Sequence, residues 1–213
     1  FFFHPQDGIR DSVASRGLGD VYKRQESGVI KRLTTEEVQK TQNAKQVINL
    51  KTGDRVVSAF CAPEKIDIGI TASDGQFLRM PVSSVSIQGR GASGVAGMKL
   101  KNASVVVAAE AILGDDFVTT IFSNQTAKVT PVAEFESRGR NGVGVRITKV
   151  NEDSKLTIAK IGPLTNLLAV MATDDDPKKP DPNPVQLLLE SSKRDLVGTT
   201  TERQILALGI SRW

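Results

Sequence analysis

QGRGASGVAGMKL at 88–100 and RGRNGVGVRI at 138–147 decide how this 213-residue chain is read. Each follows a strand-like phrase that ends in proline. Setting Pro81 on Pro131 also brings Val82 onto Val132, Gly89 onto Gly139 and Arg90 onto Arg140, so an offset of 50 holds over several positions. Self-similarity at such a period marks a repeat architecture, in which each unit supplies one supersecondary block that cannot bury its apolar face alone. Backward, Gly28 falls on Gly75, Arg32 on Arg79 and Val38 on Val85 at an offset of 47. Forward, FVTTIFSN at 117–124 falls on LLAVMATD at 167–174. Three units are visible. A fourth runs into DDDPKKPDPNP at 174–184, whose composition is that of a solvated linker. Beyond it, 185–189 and 204–208 are apolar enough to close a degenerate last unit within 185–213, or a tail.

Between 26 and 173 the composition is that of an all-β protein. Short segments rich in Val, Ile, Thr and Phe recur at 29–33, 46–50, 55–61, 66–71, 77–80, 104–109, 117–122, 143–148, 155–161 and 167–172. The turn formers KTGD at 51–54, SDGQ at 73–76 and NEDS at 151–154 separate them, which is the spacing of a sandwich, barrel or propeller. Thr34 with Glu37 fits a capping box that could open one turn of helix. A polar loop is the expected reading there.

The first 25 residues read differently. DVYKRQ at 20–25 is one frame of the transposon end used in sequencing libraries, SRGLG at 15–19 is the same frame of the adapter before it, and DGIRD at 7–11 fits the flow-cell adapter. Residues 1–25 are therefore expected to be a non-native, disordered leader that takes no part in the fold. The only His, His4, and the only Tyr, Tyr22, go with them.

What remains keeps a mild positive balance, within a chain whose formal net charge is +4. A lone cysteine, Cys61, cannot form an internal disulfide, fits a reducing compartment and is expected to be a small buried hydrophobe. With no His beside it, a Cys–His dyad is excluded. No apolar run approaches the roughly 18 residues of a membrane span. Gly89, Gly91 and Gly94 spell GxGxxG, but that fingerprint must open a helix, and VAGMKLKN after it reads as strand. Asp174, Asp175 and Asp176 lack the Gly turn and spaced acids of a calcium loop. No catalytic or metal-ligating set emerges.

Basic residues follow the repeat. From 76 to 101 the chain carries Arg79, Arg90, Lys99 and Lys101 and no carboxylate; from 125 to 150 it carries Lys128, Arg138, Arg140, Arg146 and Lys149 against Glu134 and Glu136. Arg beside Gly, repeated from unit to unit, sets guanidinium groups and open backbone along one rim, where they can meet successive phosphates. Alternatively the glycines only make turns and the arginines are solvated. The turn reading is preferred for the glycines, and DNA for Arg90 and Arg140. A protein-docking scaffold is the alternative for the whole chain. It would show an apolar or aromatic patch, whereas aromatic residues make up 5% here. A stand-alone enzyme is the weakest reading.

FLRMPVSSVSIQGRGASGVAGMKL at 77–100, AKVTPVAEFESRGRNGVGVRITKV at 127–150 and KLTIAKIGP at 155–163 resemble the C-terminal β-pinwheel of bacterial type IIA topoisomerase A subunits, gyrase or topoisomerase IV. The likeness covers about 26–173. It implies a partial, propeller-like array of four-stranded blades of about 50 residues, whose basic rim binds and bends duplex DNA. On this implication Lys31, Arg32, Arg79, Arg90, Lys99, Lys128, Arg138, Arg140 and Arg146 contact DNA. The stretch nearest to the family's wrapping box is Gln88, Gly89, Arg90, Gly91 and Gly94, with Gly89 and Ala92 departing from the box. The family's cleavage tyrosine lies in an upstream core and its ATP and Mg2+ sites on other domains or the B subunit, so none is expected in this chain. The resemblance further implies an A-subunit homodimer, a B-subunit partner, no membrane, and a bacterial cytoplasmic, nucleoid-associated location.

Overall fold

A computed structural model describes residues 20–39, 47–148 and 154–210. Its strands are β1 Asp20–Gln25, β2 Val29–Leu33, β3 Val56–Ala62, β4 Asp67–Ala72, β5 Gln76–Pro81, β6 Val95–Ala96, β7 Val106–Ile112 and β8 Phe117–Phe122. They continue as β9 Thr126–Pro131, β10 Val145–Arg146, β11 Leu156–Gly162, β12 Leu167–Met171, β13 Val185–Gln186, β14 Thr199–Thr200 and β15 Ile205–Ile210. One helix, α1 Thr35–Gln39, and three 3-10 turns complete the described elements.

The strands form four antiparallel sheets with the orders β3-β1-β2-β6, β10-β5-β4-β7, β11-β8-β9-β14 and β13-β12-β15. One rule generates them. A unit makes a hairpin, sends a two-residue strand back to the outer edge of the preceding sheet, and then lays a long strand along the inner edge of its own. Thus β4 and β5 pair, β6 returns to β2, and β7 closes onto β4. The next unit repeats this with β8 and β9, β10 on β5, and β11 on β8. The fourth pairs β12 with β13 and β15 and returns β14 to β9. Inner strands β3, β7, β11 and β15 lie successively side by side. This is the blade-by-blade β-pinwheel.

Packing explains the composition. A middle strand such as β4 or β8 is covered by sheets on both faces, so five of its six residues are buried and the apolar run is nearly continuous. Ile68, Ile70, Leu78 and Met80 fill the space between the first two sheets, Phe77, Val118, Phe122 and Phe135 the next, and Ile121, Leu167, Ala169 and Ile205 the last. Phe77 and Phe135 meet with centroids 4.7 Å apart at 58°, a tilted arrangement that aromatic quadrupoles favour.

Several expectations change. The expected leader extends to residue 25, but Asp20–Gln25 forms β1, between β2 and β3 in the first sheet. Main-chain pairing asks little of side chains, and without β1 both neighbours would present unpaired edges. Residues 1–19 lie outside the described residues. The stretch 174–184, nearly all exposed, forms the long connection of the β12–β13 hairpin. There Ala172 bridges Pro180, Asp181 N donates to Met171 O at 2.8 Å, and Arg203 holds Asp181 at 3.2 Å. Its aspartates close turns on the backbone of Lys178 and Asn183, which makes the polar run self-satisfied. The last unit divides, with 185–186 and 205–210 completing the fourth sheet and 199–200 joining the third. That fourth sheet has three strands rather than four among the described residues.

Thr34 caps the helix. Glu37 N donates to Thr34 Oγ1 at 3.3 Å and α1 follows where a loop was expected. The strand expected at 46–50 is irregular from 47 on, and those at 143–148 and after Gly94 shrink to two residues each. Cys61 is exposed rather than buried, because β3 lies on the inner edge and alternate side chains leave the core.

Candidate nucleic-acid interface

The returning segments build the site. Ile87, Ser137 and Ser191 each form a parallel bridge to the outer hairpin strand of the preceding sheet, at Arg32, Arg79 and Val129. Gln88 N, Arg138 N and Ser192 N donate to the carbonyls of those same residues at 3.0, 2.9 and 2.9 Å. The three loops are therefore in one register. It aligns Arg90 with Arg140 and Arg194, Gly91 with Asn141 and Asp195, and Gly94 with Gly144 and Gly198.

That last glycine is demanded by packing. A Cβ on Gly94 would stand 2.8 Å from Ile30 O, on Gly144 2.8 Å from Phe77 O, and on Gly198 2.4 Å from Ala127 O, the equivalent carbonyl in each sheet. Gly94 and Gly144 also have φ of +96° and +88°, which L-residues rarely adopt. Gly89, Gly91 and Gly139 differ, since a Cβ on any of them would meet nothing within 4 Å. Folding does not require glycine at the loop tips, where it leaves bare backbone beside an arginine.

The loops also bond to one another. Asn141 N donates to Gly97 O at 2.6 Å, Lys99 N to Gly142 O at 2.9 Å, and Arg140 Nη1 to Ala96 O at 3.3 Å. One unit on, Asp195 N donates to Ile147 O at 2.9 Å and Thr148 Oγ1 to Leu196 O at 2.5 Å. The result is a continuous belt across three sheets.

The expected DNA contacts separate into two groups. Arg90, Lys99, Arg138, Arg140 and Arg146 lie on the belt. Arg140 and Lys99 are exposed, and the side chains of Arg138 and Arg146 are about half exposed. Most of these arginines have a resting carboxylate: Arg90 Nε is 3.7 Å from Glu37, Arg138 Nη2 3.8 Å from Glu136, and Arg146 Nε 2.9 Å from Asp195. Arg140 has no ion pair among the described residues.

Lys31, Arg32, Arg79 and Lys128 do not belong to that surface. Lys31 is 0% and Lys128 2% exposed. Lys31 Nζ donates to Arg90 O and Ala92 O, both at 2.7 Å, and Lys128 Nζ to Lys193 O at 2.9 Å and Leu196 O at 2.6 Å. These ammonium groups staple a returning loop to the sheet beneath it. Burial lowers the Lys128 pKa, with Asp195 and Glu134 pulling it back up. Arg32 is buried, reaching Val85 O and Glu64; Arg79 is part-buried, reaching Val132 O, Phe135 O and Asp67. Their place is the joint with the next sheet. The box-like loop of Gln88, Gly89, Arg90, Gly91 and Gly94 is the first belt loop.

Sequence reasoning missed Lys193 and Arg194. SSKRDLVGTT at 191–200 is the third belt loop, offset from the second by 54 rather than 50. The alignment Arg140–Arg194 with Gly144–Gly198 was the available signal. Among the described residues, no His, Cys, Asp and Glu cluster could hold a metal and no helix is long and apolar enough to cross a membrane.

Comparisons agree with this architecture. The chain is 28% identical over 135 residues to the DNA gyrase A protein of Ureaplasma parvum and 27% identical over 142 residues to that of Escherichia coli, covering 63% and 66% of this chain. It is 23% identical over 180 residues, or 82% of the chain, to the gyrase A protein of Mycolicibacterium smegmatis. It spans 16% to 20% of the length of those relatives. Among solved structures, the C-terminal domain of DNA topoisomerase IV superposes with a TM-score of 0.80 at 20% identity, over 92% of this chain and 63% of that one. A DNA gyrase A C-terminal domain superposes at 0.75 and 16% identity, over 91% and 66%. A family model described as the DNA gyrase C-terminal domain, beta-propeller, matches 26–63, 70–112 and 126–161. Those spans hold hairpin and inner-edge strands of the first three sheets, and the chain belongs to that family.

Proposed function

We propose that the belt binds the backbone of duplex DNA, and that the chain is the DNA-bending part of a bacterial type IIA topoisomerase A subunit, gyrase or topoisomerase IV. The observation that carries this reading is the register of Arg90, Arg140 and Arg194 on three mutually bonded loops, with unhindered glycines beside the first two. Guanidinium groups and open amides repeated along a belt suit successive phosphates and read no base. A duplex following the belt from sheet to sheet would have to curve.

In this reading strand cleavage, ATP hydrolysis and Mg2+ chemistry belong to other parts of a longer enzyme, together with A-subunit dimerisation, B-subunit contact and a cytoplasmic setting. The glycine cluster here returns to a sheet edge instead of opening a helix, which is not the setting of a dinucleotide fingerprint. Protein docking is the second reading, and Leu196 and Val197, 54% and 73% exposed on the third loop, favour it locally.

Titration of the full chain with unrelated duplex sequences over a range of salt tests the proposal. Affinity should be nearly independent of sequence and fall steeply with salt, the log-log slope giving about 0.9 per phosphate met. Strong preference for one sequence, or a flat salt response, would refute it.

A further inference from the structure

We infer that Asp195 sets how far along the belt a duplex is held, by occupying two arginines that phosphates would otherwise take. The inference rests on the DNA-binding reading above. Asp195 stands at the tip of the third loop. Its Oδ1 accepts from Arg146 Nε at 2.9 Å and its Oδ2 from Arg194 Nη1 at 2.8 Å. One carboxylate thus spends both oxygens on cations of two adjacent loops. The residues in the same register, Gly91 and Asn141, are uncharged.

The charge is separable from the backbone geometry. Asp195 has φ of 67° and Asn141 has φ of 65°, a region where Asp and Asn are among the few side chains tolerated. Their N–H groups make the same bond to the preceding loop, at Ile147 O and Gly97 O. The fold therefore asks for a short polar residue at this place, and asparagine meets the need at 141. The Arg146 hydrogen bond, helped by the charges of Arg146, Arg194 and Lys128, holds the Asp195 carboxyl below its usual range. It is ionised at any pH near neutrality.

A phosphate arriving at Arg140 displaces only the Ala96 carbonyl. One arriving at Arg146 or Arg194 meets a guanidinium whose charge Asp195 already compensates, so it gains less there. Duplex contact is therefore strongest around Arg140 and fades towards the third loop.

The test compares Asp195→Asn with the parent chain in salt titrations and hydroxyl-radical footprints, on a linear duplex long enough to pass all three loops. Freeing two arginines should raise affinity, lengthen the footprint at one end, and steepen the log-log slope by roughly 2. Asp115→Asn makes the same charge change at an exposed residue with no ion pair among the described residues, and should leave all three unchanged. Because Asp195 also faces the buried ammonium of Lys128, the substitution is repeated in a Lys128→Leu background, leucine being the residue at the equivalent position 78. If Arg140→Ala weakens binding while Asp195→Asn changes neither slope nor footprint in either background, the role of Asp195 is overturned and the DNA reading stands. If Arg140→Ala is also without effect, the DNA reading itself fails.

Discussion

Cations of the outer hairpin strands and cations of the belt loops occur with the same period, yet they do opposite work. Lys31 and Lys128 are buried and donate hydrogen bonds to carbonyls of the first and third loops, whereas Arg90, Arg140 and Arg194 stand at the tips of the three loops. The second sheet makes the lesson sharper. Its residue at the staple position is Leu78, whose methyl approaches the place a Cβ would occupy on Gly142 of the returning loop. An apolar contact there replaces two charged hydrogen bonds. The position is thus a loop anchor whose chemistry is free to change, while the arginine on the loop recurs in all three units.

The largest effects are expected at the buried lysines. Lys31→Ala and Lys128→Ala each strip a donor from two carbonyls and remove a buried aliphatic stem, so each should cost about 1–3 kcal/mol in denaturant or thermal unfolding. Neither removes a phosphate contact, so the salt slope of DNA binding should stay that of the parent chain. A shallower slope with unchanged stability would place these lysines on the binding surface after all.

Within the belt the expected differences are smaller. Arg140 has no carboxylate to give up, while Arg90 is shared with Glu37 at 3.7 Å. Arg140→Ala should therefore weaken DNA binding more than Arg90→Ala does, and should make the slope shallower by about 1. Glu37→Gln sharpens the contrast, because Arg90→Ala measured in that background should approach the loss seen at Arg140. Equal losses from both arginines with Glu37 intact would show that resting ion pairs do not grade the belt.

The hairpins were legible because their cues are local. Apolar runs flank the three-residue turns at 73–75 and 123–125, and 29–33 and 117–122 coincide with β2 and β8. The returning strands were not, since two residues of pairing carry no periodicity. The recurring arginines at 90 and 140 were visible as a register, but burial was not. A lysine three residues after a turn reads alike whether it is solvated or enclosed by a loop some 60 residues away. The third loop escaped because the long β12–β13 connection pushes SSKRDLVGTT out of the 50-residue period. Asp20–Gln25 escaped because its main chain fills a strand position whatever its codons spell.

In this reading loop tips, and not hairpin strands or inner edges, meet the DNA. Amide hydrogen exchange of the full chain, with and without saturating duplex, separates these surfaces. New protection is predicted at 89–93 and 139–143, with weaker protection at 193–197 where Asp195 competes, and no change at the hairpin turns 73–75 and 123–125 or along the inner strands β3 and β7. Protection concentrated at those turns or inner strands, with the belt unchanged, would contradict it.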